Sequence, residues 1–195
     1  MSTATKGVRT RRRLLDAAAA EVARHGAARA SLTQIAVAAG LKTGSIYFHF
    51  ASKDELIETM LADGLRETLR YLDDALAAVP DAADARGRLR AAIRAHLDAL
   101  HELNDYAAVV LALDTAADGP AAAEYHRLRR VYGRQWIALI EDAQRAGVLT
   151  AAVDPRTVRE LIVGAMNAGL VGLGPGGRSP AETATALEAL LGLGG

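Results

Sequence analysis

Between residues 31 and 53 the chain reads SLTQIAVAAGLKTGSIYFHFASK. Thr43, Ser45, Tyr47, His49 and Lys53 bring hydroxyl, imidazole and ammonium groups into one short stretch, with Gly44 among them. Such groups donate and accept hydrogen bonds. They do not pair a nucleophile with a base, and the chain carries no cofactor motif. The glycine-rich GLGPGG at 172–177 reads as a loop, because no strand precedes it and no Gly-Lys-Ser/Thr follows. His96, His101, Asp105 and His126 are poor candidates for a metal site. The i, i+5 spacing of the two leading histidines turns them about 140° apart on a helix. The chemistry that fits is recognition of a polar or anionic surface, with neither metal nor cofactor.

The charge distribution points the same way. The formal net charge is zero, yet residues 1–56 carry nine Lys/Arg against four Asp/Glu, a net of +5. Residues 57–195 carry fourteen against nineteen, a net of −5. A basic head on an acidic body implies an anionic partner for the head, against the plainer reading of ordinary surface charge. Arg9, Arg11, Arg12 and Arg13 open the first helix, where they serve either as a solvated start or as phosphate contacts.

Those groups need a scaffold, and composition makes it helical. Apolar residues reach 51%, enough for a buried core, while alanine and leucine dominate and strand-like alternation is absent. Cysteine is absent, which excludes disulfides and fits a cytoplasmic setting. No apolar run is long enough to span a membrane, and no signal peptide is legible.

Nine helices are expected. The first runs from about Arg9 to His25, with Leu15, Ala18, Ala19 and Val22 as its apolar stripe and Gly26 as its stop. Ser31 and Gln34 form a capping box for the second, which ends at Gly40. A short third covers roughly Thr43 to His49. Ser52 and Glu55 open a fourth, whose stripe of Ile57, Met60, Leu61, Leu65, Leu69, Leu72 and Leu76 makes it the longest of the N-terminal half. Asp84 caps a fifth. A sixth lies near Tyr106 to Thr115. Gly119-Pro120, Asp154-Pro155 and Ser179-Pro180 open the last three.

Two short helices joined by Gly40-Leu41-Lys42 match a helix-turn-helix. Ile35, Ala36 and Ile46 hold the second element, leaving Thr43, Gly44, Ser45, Tyr47, His49 and, just past it, Lys53 outward. A helix so short is marginal alone and must be held by its neighbours. A rigid polar face of that size suits the DNA major groove. Phe48 and Phe50 are expected in the core, where a small head needs aromatic area, against the alternative of a contact. Tyr47 is read as a phosphate contact in preference to a core residue.

SLTQIAVAAGLKTGSIYFHFASKDEL, with TRRRLLDAAAAEVARHG before it, resembles the DNA-binding signature of the TetR family of transcriptional repressors over roughly residues 9–60. The resemblance implies a homodimer whose two heads read a palindromic double-stranded DNA operator. It implies base or phosphate approach by Thr43, Gly44, Ser45 and His49, and backbone contacts by Tyr47 and Lys53. Ser31 and Thr33 lie at a helix N-terminus that favours a phosphate. Arg9 and Arg12 join the phosphate set. One departure is Lys42, where many members have a capping Ser or Thr. Lysine cannot accept that hydrogen bond, so either Thr43 caps one residue later or a phosphate meets the free N–H groups. Lys42 itself then adds a phosphate contact.

For the body, His96 sits on the apolar stripe of the fifth helix, as a satisfied core residue or a ligand contact. His96, Tyr106, Tyr125, Tyr132, Trp136, Met166 and Asn167 are the groups that could line an apolar pocket for a small hydrophobic effector. Trp136 and Tyr132 as plain core is the alternative. Leu161, Gly164, Ala165, Ala168 and Gly169, with Leu187, Leu190 and Leu191, resemble the family's dimer interface, against intrachain packing. The chain is therefore expected to be all-α, with a DNA-binding domain at 1–56 and a ligand-binding and dimerisation domain at 57–195. It is expected to be a ligand-responsive repressor and not an enzyme. A helical enzyme or carrier using the same pocket, or a DNA binder without an effector, is the competing reading.

Overall fold

Short-range hydrogen bonds start the helices where the sequence places its caps. Ser31 accepts from the Gln34 amide while Gln34 reaches back to the Ser31 amide, a complete capping box. Ser179 and Glu182 repeat it. Asp84 accepts from Gly87 N–H, and Asp154 from Arg156 and Thr157 N–H. At the fourth start Ser52 caps Glu55 N–H, but Glu55 reaches one residue further back, to Ala51 N–H at 2.7 Å.

The computed structural model describes residues 3–112, 120–172 and 179–194. Among the described residues all regular elements are helical. They are α1 (Thr3–His25), α2 (Leu32–Ala38), a 3-10 helix (Thr43–Phe48), α3 (Lys53–Ala77), α4 (Ala85–Glu102), α5 (Asn104–Ala112), α6 (Pro120–Arg145), α7 (Pro155–Gly172) and α8 (Pro180–Leu190). The first helix thus starts earlier than Arg9, and the third is a 3-10 element ending at Phe48. Most of the GLGPGG loop, and the expected end of the sixth helix beyond Ala112, lie outside the described residues.

The chain packs as two compact units, Met1–Leu65 with Asp105–Leu128, and Arg66–Asn104 with Arg129–Gly195. In the first, α1 packs on α2 and α2 on the 3-10 helix. Leu14, Leu15, Ala18, Ile35, Ala36, Ile46, Phe50, Met60 and Leu61 are buried there. Gly40 turns the chain at φ 67°, and an added Cβ would also meet the Arg13 guanidinium at 2.9 Å. Gly64 allows α5 to come close, since a Cβ there would sit 2.9 Å from the Tyr106 ring. Buried Glu58 of α3 accepts from Ala122 N–H in the first turn of α6. A carboxylate there also faces the positive end of that helix.

In the second unit α4 packs against α7 and α8. Trp136, Leu89, Ile93, Leu97, Ile162 and Met166 belong to one continuous core. Glu188 of α8 is buried and takes Arg94 at 2.6 Å and Arg90 at 3.1 Å, which ties α8 to α4. The Arg94 hydrogen bonds hold the Glu188 carboxyl below its usual range.

Candidate nucleic-acid interface and a buried polar cluster

A 3-10 helix has about three residues per turn, so residues i and i+3 stack in columns. Thr43, Ile46 and His49 form the inward column, with Ile46 fully buried and the other two half-buried. Gly44 and Tyr47 form an exposed column, and Ser45 and Phe48 the third. Tyr47 is 60% exposed and Phe48 89%. The expectation that Phe48 is core is therefore wrong: one residue in three turns inward, and Ile46 occupies that place. Phe50 is buried as expected, because its N–H bonds back to Ile46 O over a wider turn that returns it to the Ile46 face.

Lys42 precedes this helix with extended backbone and makes no side-chain cap. Its side chain is exposed, as are Thr33 and Arg9. Ser31 is spent on its capping box. Lys53 Nζ donates to the Ala27 carbonyl at 2.9 Å. Arg12 pairs with Asp16 at 3.0 Å, and Asp16 also accepts from the Tyr106 hydroxyl at 2.7 Å. Arg13 donates to the Ala39 carbonyl, and Arg11 lies over the Phe50 ring. Several cations thus brace the head from inside its own fold while leaving their remaining donors at its surface.

The body residues separate into two groups. His96, Tyr132, Trp136, Met166 and Asn167 come together in the second unit. Tyr106 and Tyr125 do not join them; both are buried in the first unit. The reason is that helical periodicity tells which face is apolar, not which neighbour will cover it. Asn167 Oδ1 lies 3.0 Å from His96 Nε2, which must then carry the proton. Nδ1 is left to accept from the Tyr132 hydroxyl. The Trp136 ring stands edge-on to both His96 and Tyr132. Burial raises the Tyr132 pKa, so it stays a donor. The Trp136 indole N–H and Arg159 Nε are buried without an aligned acceptor among the described residues. Sequence reasoning missed Arg159, although its i, i+3, i+7 spacing from Ile162 and Met166 marks the same helix face.

Burial lowers the His96 pKa from 6.5 to about 4, against the opposing Asn167 bond. Between those values the unfolded chain binds the proton and the native chain does not. Stability from this group is complete above the higher value and falls as pH drops through the window, by at most about 1.4 kcal/mol per pH unit. Urea midpoints for His96→Gln should lose less between pH 7 and pH 5 than those of the unaltered protein. Equal acid sensitivity of the two would remove the neutral buried histidine.

Leu161, Gly164, Ala165 and Ala168 of α7 are exposed, and so is Leu190 of α8, at 82%. Leu191 is half-buried, whereas Leu187 is buried in its own chain's core. The surroundings of Gly169 lie outside the described residues. No helix among the described residues is long and apolar enough to cross a membrane, and they hold no group of three or more metal-binding side chains.

The braced head and its outward 3-10 face are those of a helix-turn-helix transcriptional regulator. Residues 14–60 match the family model for bacterial regulatory proteins of the tetR family, and residues 82–191 match the tetracyclin repressor-like C-terminal domain. The chain belongs to the TetR family. It is 29% identical over 154 residues to the HTH-type transcriptional repressor KstR2 of Mycobacterium tuberculosis, covering 76% of this chain and 74% of that one. With the HTH-type transcriptional regulator TtgR of Pseudomonas putida it shares 41% over 63 residues, only 30% of that protein's length. Among solved structures, the ketosteroid regulator KstR2 of M. tuberculosis superposes with a TM-score of 0.79 at 21% identity, over 93% of this chain and 92% of that chain. AibR in complex with isovaleryl coenzyme A and operator DNA gives 0.80 at 19%, over 92% and 97%.

Proposed function

We propose that this protein is a ligand-responsive transcriptional repressor, binding a palindromic operator as a homodimer and released by a small hydrophobic molecule. The observation that carries the reading is the 3-10 helix anchored by Ile46, with Gly44, Tyr47 and Phe48 turned outward on a head of net charge +5. Residues 1–56 act as the DNA-binding domain and residues 57–195 as the effector and dimerisation domain. The exposed apolar face of Leu161, Gly164, Ala165, Ala168 and Leu190 joins two copies, so that the heads meet successive major grooves about 34–36 Å apart. The His96, Tyr132, Trp136 and Asn167 cluster supplies polar contacts to an otherwise apolar effector. AibR, on the same fold, was captured with both a small molecule and operator DNA. The effector acts through unequal affinity for the DNA-bound and released states. As a DNA-binding regulator, the protein works in the cytoplasm.

The test selects preferred duplexes from a random pool with the full-length protein and then measures anisotropy against salt. Lys53 has an ammonium with donors to spare beyond its Ala27 bond. Lys53→Gln should weaken binding to all sequences and flatten the logarithmic salt slope by about one. An unchanged slope would strip Lys53 of its phosphate role. Failure to enrich any duplex over competitor would sink the repressor reading itself.

A further inference from the structure

Phe48 is the most solvent-exposed large apolar side chain among the described residues, and it stands on the element proposed to enter DNA. An exposed phenyl ring loses solvation stability for no packing gain, so its place calls for a partner that covers it. The ring has no donor or acceptor and cannot fix a phosphate. In the major groove of B-DNA each base pair shows an array of polar atoms, and the apolar group on offer is the thymine C5-methyl. Phe48 stacks in one column with Ser45, whose hydroxyl can bond to a base edge beside it. Neighbouring Gly44 has open space where a side chain would stand, which lets the groove wall approach.

We infer that Phe48 is a specificity-determining residue that covers a thymine methyl in each operator half-site. The inference rests on the DNA-binding reading above and adds a chemical class to it: a 5-methylpyrimidine at one fixed position.

The experiment uses duplexes selected by the full-length protein, with each thymine replaced singly by deoxyuridine. That change removes one methyl and leaves base pairing intact. For the unaltered protein, one thymine per half-site should lose roughly fourfold in affinity when demethylated, and roughly sixteenfold when both symmetric positions are changed. Phe48→Ala should bind the thymine duplex as weakly as the unaltered protein binds the doubly demethylated one, with no further loss on demethylation. Because Phe48 is so exposed, Phe48→Ala should keep the thermal unfolding midpoint; should it not fold, Phe48→Leu replaces it and should show a reduced demethylation effect. Three results overturn the inference while leaving DNA binding intact: no thymine whose methyl matters, a methyl effect that persists in full in the variant, or variant binding equal to that of the unaltered protein. A protein that enriches no duplex fails at the earlier step, and overturns both.

Discussion

Trp136→Ala is expected to cost about 3–5 kcal/mol of stability, a large fraction of what a domain has to lose. Trp136 is fully buried at the centre of the second unit's core, beside Leu89, Ile93, Ile162 and Met166. Five helices, α3, α4, α6, α7 and α8, supply that core, so none can move inward alone to fill the hole. It is the single tryptophan, so unfolding in urea should be followed by circular dichroism. Trp136→Phe should cost well under half as much, since most of the ring remains. An alanine variant that unfolds at the original midpoint would show that this ring does not hold the unit together.

Ile46→Ala should leave overall helicity nearly unchanged and weaken DNA binding by roughly a hundredfold. Ile46 is the buried anchor of a six-residue 3-10 helix. Deleting most of a buried isoleucine costs about 2–5 kcal/mol. An element this short has little stability of its own to absorb the loss. The competent conformation becomes a minor state, and apparent affinity falls by that fraction. The charged groups are untouched, so the salt slope should persist while affinity drops. Anisotropy on a selected duplex decides it. Binding within threefold of the original would mean that the element is held by something other than Ile46.

Much of the fold was legible because it rests on local chemistry. Ser31 with Gln34, Asp84, Asp154 and Ser179 with Glu182 each satisfy orphan N–H groups within one turn. The Ile57-to-Leu76 stripe likewise follows from helical spacing alone. The site was legible in part. The turn at Gly40 and the outward Tyr47 could be read from residue order. The placement of Phe48 was misread because its aromatic area was weighed above its register: two positions beyond Ile46, it leaves the buried face by an α-helical count and by a 3-10 count alike.

Residue order by itself therefore determined the capped helix starts and the apolar stripes, in which each residue answers to neighbours within about one turn, and the helix-turn-helix, whose two elements lie next to each other in the chain. Tertiary structure alone decided that Tyr106 and Tyr125 pack in the first unit, that His96 meets Tyr132 and Asn167, and that Glu188 takes two arginines from α4. Those pairings join residues tens of positions apart. An apolar face specifies that it must be covered, while the identity of the cover comes from how whole helices fit together.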